Sequence, residues 1–383
     1  MTSTLSALTE IAARIHAFIA SAGAVAGGGV RDAVEQEGEF NTLALELFAL
    51  QVRQNVALRG CLGARGAAPE RLRNWREIPP VPVAAFKEME LTVLPAEART
   101  TVFHSSGTTG QKPSRHFHHA ESLRLYASSL QPWFWRHLWP EGVSWRGEVG
   151  LRKITLTPPP TQVPHSSLVH MFGSIAGAGG AECFVGELDP GGAWGVNFDE
   201  ALRRLRAAAA SGAPVMLLGT AFSFVHLLDH LAAGDIRVPL PSGSRVLETG
   251  GYKGRSRTLP KQELHAEITR RLGVRASHIV CEYGMSELSS QAYDTVVPAR
   301  ADVARRARRF HFPPWARAVV VSPETGAEVG EGETGLLRIY DLANVWSALA
   351  VQSEDLGVRR GEGFELLGRA AEAEPRGCSR MTD

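Results

Sequence analysis

The sequence predicts an α/β fold of layered β-sheets and helices that ends in a smaller β-rich part. Helical and strand patterns alternate through the middle of the chain, which is typical of layered α/β architecture. From about residue 316 the pattern changes to short strands separated by turns, which indicates hairpins. The 383 residues include 44% apolar and 21% charged residues, so the chain can form a large core.

The N-terminal region, residues 1–90, is predicted to be mainly helical. Leu43 and Leu47 belong to a set of apolar residues that recur at helical spacing. Pro79 and Pro80 then favour an extended segment, because the residue before a proline avoids the helical conformation. We therefore expect the helical region to end there.

The α/β core is predicted to span residues 91–315. A short strand at 101–103 leads into a loop rich in serine, threonine and glycine. After this loop, helices and strands alternate. The predicted elements are helix 121–130, strand 153–156, strand 214–218, helix 221–232, strand 245–247, helix 263–272 and strand 279–280.

A small β-rich subdomain is predicted over residues 316–368, followed by a flexible tail, 369–383. Its predicted strands are 318–321, 335–340 and 363–367, with a turn at 323–326 after the first of them.

Composition excludes several classes of protein. The net charge of +1 gives no indication of a nucleic-acid partner. The four cysteines form no Cys-x-x-Cys pair, which disfavours a structural zinc site or a disulfide framework and suits the reducing cytoplasm. We expect neither a signal peptide nor a membrane span, since no stretch reaches the roughly 20 apolar residues that a bilayer requires.

The loop after strand 101–103 is a candidate phosphate-binding loop. Glycines allow close approach of the backbone to a ligand, and successive N–H groups can form a nest for an anion. No Gly-Lys-Ser/Thr follows, so this is not a Walker loop. A polar surface turn is the alternative. The loop residues are Ser105, Ser106, Gly107, Thr108, Thr109 and Gly110. Lys112 either adds a positive charge to the site or is simply solvated.

This loop resembles the phosphate loop of the adenylate-forming superfamily, and further motifs of that superfamily follow in the same order. Their residues are Glu248, Gly250 and Gly251 on the adenine side, Tyr283, Gly284 and Glu287 in a Tyr-Gly-x-Ser-Glu run, Asp355, and Arg369 after a glycine. A narrower resemblance, from about residue 40 onward, is to LuxE-like acyl-protein synthetases, relatives of phenylacetate-CoA ligase. Segments 78–82, 248–254, 312–315 and 376–379 are among those that carry it.

The resemblance implies an enzyme that uses ATP and Mg²⁺ to join a carboxylic acid to AMP. Glu287 would be the magnesium ligand, and Tyr283 would cover the adenine ring. Asp355 would hold the ribose hydroxyls, with an ordinary turn aspartate as the alternative. Arg369 would contact ribose or phosphate. The implied fold is the N-terminal core of the superfamily.

The resemblance also leads us to expect that the usual mobile C-terminal domain, which delivers a catalytic lysine, is missing. Lys253 is a candidate substitute, although a solvated loop lysine is the simpler interpretation. Cys378 would accept the acyl group and pass it on, as a cysteine near the C-terminus does in LuxE-like proteins. The expected acceptor is this thiol or that of a carrier protein, CoA or a partner enzyme.

Other functions stay open at this stage. The chain could be an acyl-CoA synthetase, an acyltransferase that has lost adenylation and moves acyl groups from CoA to a carrier protein, or a non-catalytic sensor. One of His165 and His170 could line the acyl site, or both could be structural. His116 and His118 share one face of a predicted strand and could imitate part of a zinc cluster.

Overall fold

A computed structural model describes residues 2–23, 33–63, 68–105, 112–141, 151–177, 183–251, 256–298 and 308–370, with side chains described from residue 6 onward. The helices are α1 (Thr2–Gly23), α2 (Ala33–Gln54), α3 (Val56–Leu62), α4 (Ala85–Glu88), α5 (Ala120–Leu138), α6 (Ser167–Ala176), α7 (Phe198–Ser211), α8 (Ala221–Ala233) and α9 (Lys261–Leu272). The strands are β1 (Val81–Pro82), β2 (Thr101–His104), β3 (Arg115–His118), β4 (Arg152–Thr155), β5 (Gly186–Leu188), β6 (Trp194–Val196), β7 (Val215–Thr220), β8 (Arg245–Thr249), β9 (Ile279–Tyr283), β10 (Ala292–Tyr293), β11 (Ala316–Val321), β12 (Thr334–Asp341), β13 (Ala350–Arg360) and β14 (Gly363–Arg369).

The central sheet has the strand order β10-β9-β8-β7-β4. Strands β4, β7, β8 and β9 are parallel, and β10 is antiparallel to β9. Every residue of β7 is buried, because helices cover both faces of a parallel sheet and its strands therefore read as continuous apolar runs. Helices α7, α8 and α9 pack on one face. Helices α5 and α6 pack on the other.

A second sheet has the order β1-β13-β12-β11, with β14 paired to the far half of β13. Its core is continuous with that of helices α1 and α2. Trp75, which follows α2 and α3, packs edge-on against Tyr340 of β12 with their ring centroids 4.8 Å apart. Strand β1 also pairs with β13, so the N-terminal region is built onto the β-rich part of the chain. The division into four regions by residue number stays a prediction.

The layered α/β architecture predicted from the sequence is present. Both large sheets occur, and β11, β12 and β14 form in the predicted β-rich part. Among the described residues, no helix combines the length and the apolar character needed to cross a bilayer.

Candidate active site

The candidate site lies where parallel strands β8 and β9 end side by side. Thr249 at the end of β8 is paired with Glu282 of β9, so the loops that follow the two strands leave the same edge of the sheet. The first loop begins with Gly250 and the second with Gly284. Ligands of open α/β sheets bind outside the carboxyl ends of the strands, so this edge is where a ligand is expected.

Tyr283 joins this edge to the second sheet. Its phenol donates a 2.8 Å hydrogen bond to Oδ2 of Asp355, which lies on β13. The ring packs edge-on against Phe310, Phe312 and Phe364. Burial, followed by the nearby Asp355 carboxylate, raises the pKa of Tyr283, so the phenol stays protonated and acts as a donor.

Arg369 lies opposite Asp355 in the pairing of β13 and β14. Its Nε is 3.9 Å from Oδ1 of Asp355, and 63% of the arginine side chain is exposed. The guanidinium is therefore at the open side of the site, where it can reach an anionic ligand. The predicted residues Tyr283, Asp355 and Arg369 come together.

Glu287 lies in the loop after β9 and is buried. Burial raises the pKa of its carboxyl, whereas Ser114 and Arg369 oppose that rise. Oγ of Ser114 is buried beside this carboxyl but makes no hydrogen bond of normal geometry to a described group. A carboxyl and a buried hydroxyl without a full partner thus lie next to each other.

The loop that carries Glu287 is held rigidly by the segment after β12. Nδ2 of Asn344 donates to the backbone carbonyl of Glu287 at 2.8 Å. Further along the same loop, both carboxylate oxygens of Asp341 accept hydrogen bonds, Oδ2 from the N–H of Ser289 and Oδ1 from the hydroxyl of Ser290. These buried bonds fix the position of the Glu287 backbone, and sequence reasoning gave no sign of them.

The candidate phosphate loop connects two paired strands. Strands β2 and β3 are antiparallel, with His104 opposite Arg115. The hydroxyl of Ser105 accepts a 3.0 Å hydrogen bond from the N–H of Ser114, which brings the two ends of the loop together. Residues Ser106, Gly107, Thr108, Thr109 and Gly110 lie outside the described residues.

The base of this loop contacts the Glu287 segment directly. The hydroxyl of Ser286 donates to the carbonyl of His104 at 3.0 Å. Nδ1 of the buried His116 donates to the carbonyl of Ser286 at 2.9 Å. The described base of the predicted phosphate loop therefore adjoins the loop predicted to bind magnesium.

Lys112 and Glu248 are placed away from this convergence. Nζ of Lys112 is 3.8 Å from a carboxylate oxygen of Glu88, and both side chains are largely exposed. The Glu248 carboxylate is buried against Cys281 and His265. Gly251, by contrast, is exposed at the strand end. The other two candidates, Lys253 and Cys378, lie outside the described residues.

The histidines that the sequence left open have structural contacts. The ring of His165 stacks on His104 with centroids 4.8 Å apart. His170 packs against Phe103 at 5.1 Å. His116 and His118 are both buried, as expected for one face of a strand. Within the described residues, neither belongs to a group of three side chains able to hold a metal ion.

Glu282 is a residue that sequence reasoning missed. It is buried beside the hydroxyl of Thr249, which donates to it, and burial raises its pKa to about 7. A glutamate inside the otherwise apolar strand that precedes Tyr283 was the available signal. Its oxygen Oε1 would lie 2.3 Å from a Cβ placed on Gly284, so any larger residue there would force the Glu282 carboxylate to move.

The chain matches a known protein family and several solved structures. The family model described as acyl-protein synthetase, LuxE, matches residues 72–383. A search of curated proteins found no match.

The similar solved structures include 2-hydroxyisobutyryl-CoA ligase in three states. In the postadenylation state, in complex with 2-HIB-AMP, it is 14% identical with a TM-score of 0.62, and the match covers 88% of this chain and 69% of that chain. In the thioesterification state, with 2-HIB-AMP and CoA, the identity is 15% and the TM-score 0.62, with the same coverage of 88% and 69%. An open conformation has 13% identity and a TM-score of 0.58 and covers 89% and 80%. This likeness confirms the predicted adenylate-forming fold.

Proposed function

Because this chain belongs to the LuxE acyl-protein synthetase family, we propose that it uses ATP to convert a carboxylic acid into an acyl adenylate and then passes the acyl group to a thiol. In the first step a carboxylate oxygen attacks the α-phosphorus of ATP, and the bond to pyrophosphate breaks. In the second step a thiolate attacks the acyl carbon, and AMP leaves. Both steps develop negative charge, so the site must provide oriented donors and positive charge.

One observation carries the proposal. The Glu287 loop, the base of the β2–β3 hairpin and the Tyr283–Asp355 pair meet at the carboxyl end of the central sheet. The sequence predicted these segments separately, as contacts of magnesium, phosphate, adenine and ribose. Their convergence is what a bound nucleotide requires, because adenine, ribose and phosphate must be held at the same time.

The chain's residues have distinct roles in this proposal. Tyr283 covers one side of the adenine and orients Asp355 through its phenol. The second carboxylate oxygen of Asp355 is then directed to the ribose hydroxyls. Arg369 approaches the sugar or the α-phosphate from the open side. Gly250 and Gly251 leave room for the base next to the end of β8.

A magnesium ion fits the pair formed by Glu287 and Ser114. Mg²⁺ takes oxygen ligands, keeps several waters and needs only one or two protein ligands. The Ser114 hydroxyl without a full partner, next to the Glu287 carboxyl, is a donor set of this kind. When bound, the ion would neutralise charge on the phosphate oxygens. The rigid attachment of the Glu287 backbone to Asn344 would keep the carboxyl in place.

Pyrophosphate exchange tests the proposal. Full-length protein is incubated with ATP, labelled pyrophosphate, Mg²⁺ and a panel of aromatic and aliphatic carboxylic acids. We expect at least one acid to support label exchange into ATP, because adenylation is reversible until the acyl group is transferred. Absence of exchange with every acid, together with transfer of acyl groups from acyl-CoA, would instead identify an acyltransferase. Binding of ATP without either reaction would identify a sensor.

A further inference from the structure

Three chemically different side chains meet in a buried position behind the candidate active site. Glu248 is on β8, Cys281 is on β9 and His265 is on α9, and all three are buried. Sγ of Cys281 is 2.9 Å from Oε2 of Glu248. Nε2 of His265 is 3.4 Å from the same oxygen and 3.6 Å from the sulfur. Three atoms that commonly bind metals therefore form a small triangle.

The triangle is close to the one that a tetrahedral zinc ion requires. Bonds of about 2.3 Å to sulfur and about 2.1 Å to nitrogen and oxygen place the ligand atoms roughly 3.4–3.6 Å apart. Two of the three measured separations, 3.4 and 3.6 Å, already agree with this. The third is shorter because the Cys281 thiol donates a hydrogen bond to Glu248. Loss of the thiol proton would remove that bond and let the sulfur move outward.

The charges around the triangle are compatible with a divalent ion. A thiolate and a carboxylate together neutralise Zn²⁺, which matters because a buried charge without compensation is unfavourable. Nearby, Asp294 is paired with Arg308 at 3.2 Å. The ammonium of Lys261 lies 5.1 Å from the centre of the Phe310 ring and interacts with Cys281 and Glu248. Lys261 also hydrogen-bonds the side chain of Cys281, so its ammonium has to turn towards solvent from the exposed first turn of α9 when the ion binds.

We propose that Glu248, His265 and Cys281 form a binding site for Zn²⁺, with a water molecule as the fourth ligand. A thiolate and an imidazole select zinc over magnesium, which prefers oxygen ligands only. The ion would join β8, β9 and α9. Its ligand on β8 lies two residues before Gly250, and its ligand on β9 lies two residues before Tyr283. It would therefore hold both loops of the candidate active site from behind.

Cysteine spacing gives no sign of this site. The three ligands lie 17 and 16 residues apart along the chain, in three different elements. Only the pairing of β8 with β9 and the packing of α9 bring them together. The site does not depend on the proposed reaction: the carboxylate of Glu248, which the sequence placed on the adenine side, faces Cys281 and His265 instead, and neither of those two residues was assigned to nucleotide or magnesium.

Metal content and cobalt substitution test the proposal. Full-length protein purified without chelator is expected to contain about one zinc per chain, measured by elemental mass spectrometry. After removal of zinc, one equivalent of Co²⁺ should produce the near-ultraviolet absorption of a thiolate–cobalt bond. Cys281→Ser should lose this band, whereas Cys61→Ser, which changes a half-buried cysteine outside the triangle, should keep it.

His265→Asn provides a second variant if Cys281→Ser fails to fold. It should lower zinc affinity at least tenfold in a competition titration against a chromophoric chelator. Zinc should also raise the Tm of the wild-type protein and leave that of the variant unchanged.

The assignment is overturned if the wild-type protein takes up no zinc, or if the cobalt band survives in Cys281→Ser. The three side chains would then be a hydrogen-bonded network only. Pyrophosphate exchange is measured separately, so failure of the zinc site is distinguishable from failure of the proposed reaction.

Discussion

The phenol of Tyr283 donates a 2.8 Å hydrogen bond to the carboxylate of Asp355, and this bond joins the two large sheets at the candidate active site. Tyr283 ends β9 of the central sheet, whereas Asp355 lies within β13 of the second sheet. One residue was expected to contact adenine and the other ribose. Their direct bond means that the orientation of one side chain depends on the other.

Tyr283→Phe should therefore weaken nucleotide binding without removing the aromatic ring. Without the phenol, Asp355 has to be ordered when ATP binds, and ordering one side chain costs about 0.5–1.5 kcal/mol, so we expect ATP affinity to fall roughly two- to tenfold. Calorimetric titration with ATP measures this directly. Tyr340→Phe is the matched control, because it removes a buried phenol that donates to the carbonyls of Arg76 and Ile78 instead. Equal ATP affinity in the wild type and the Tyr283 variant would contradict the role given to the pair.

Glu287→Gln should slow adenylation strongly. The change keeps the shape of the side chain and removes the negative charge that would hold Mg²⁺. Loss of one such electrostatic group typically lowers the rate about 10²–10³-fold. Pyrophosphate exchange at saturating ATP and acid is the measurement. Glu88→Gln, a change at an exposed position that faces Lys112, should exchange at the wild-type rate. A wild-type rate in Glu287→Gln would exclude this carboxylate as the metal ligand.

Gly284→Ala and Gly251→Ala are expected to differ in their effect on stability. A Cβ at position 284 would lie 2.3 Å from Oε1 of Glu282, whose carboxylate is buried and held by Thr249. A Cβ at position 251 would contact nothing within 4 Å. Overpacking of this kind costs about 1–3 kcal/mol, so Gly284→Ala should lower the free energy of unfolding by that amount. Denaturant unfolding of both variants checks this, and equal stabilities would show that Glu282 moves aside freely.

Buried histidines should lower stability as the pH falls from about 6.5 towards 4, because they stay neutral in the folded chain, whereas Glu282, with its raised pKa, contributes in the opposite direction. Burial lowers the pKa of His116 to about 4 and that of His137 to about 3. The unfolded chain binds these protons below about pH 6.5 while the folded chain does not, so acid favours unfolding. Above about pH 6.5 the two histidines do not lower the free energy of unfolding. Below it, each of them lowers that free energy by up to about 1.4 kcal/mol per pH unit.

His137→Gln tests the size of this effect. Nδ1 of His137 donates to the carbonyl of Trp133 at 2.7 Å, and an amide can keep a donor there without titrating. The free energy of unfolding is measured at several pH values between about 4.5 and 7. Its slope against pH should be smaller in the variant by the equivalent of about one bound proton, about 1.4 kcal/mol per pH unit. An unchanged slope would mean that His137 is protonated in the folded chain.

The sequence predicted those parts of the site that depend on local motifs. Tyr283, Gly284 and Glu287 follow one another along the chain, and the end of strand β9 places them at the edge of the sheet. Asp355 was predicted as a ribose ligand, but its strand was not. The 11-residue strand β13 is mixed in polarity, because part of it is half-exposed, and so it lacks a simple alternation.

What the sequence could not predict depends on contacts between distant elements. The support of Glu287 by Asn344 joins residues 57 positions apart. Ser114 shows no motif of its own and becomes significant only because the β2–β3 hairpin packs against the Glu287 loop. Glu248 matched an adenine-side motif, yet the pairing of β8 with β9 directs its carboxylate to Cys281. Tertiary packing determines these placements, and no local pattern records it.

Cys378 as the acyl carrier is the prediction that most directly separates an acyl-protein synthetase from an acyl-CoA synthetase. The residue lies outside the described residues, so the prediction rests on the family and on the Gly377-Cys378 sequence. A thiolate is a good acyl acceptor, and attack on an acyl adenylate would release AMP and leave a thioester.

Incubation with ATP, Mg²⁺ and the preferred acid should then add one acyl mass to the intact protein, and hydroxylamine should remove it. Cys378→Ala should abolish the adduct and leave pyrophosphate exchange intact, whereas Cys61→Ser should change neither. An adduct that persists in Cys378→Ala would place the acceptor on another group. Rapid exchange without any adduct would mean that the acyl group passes directly to an external thiol.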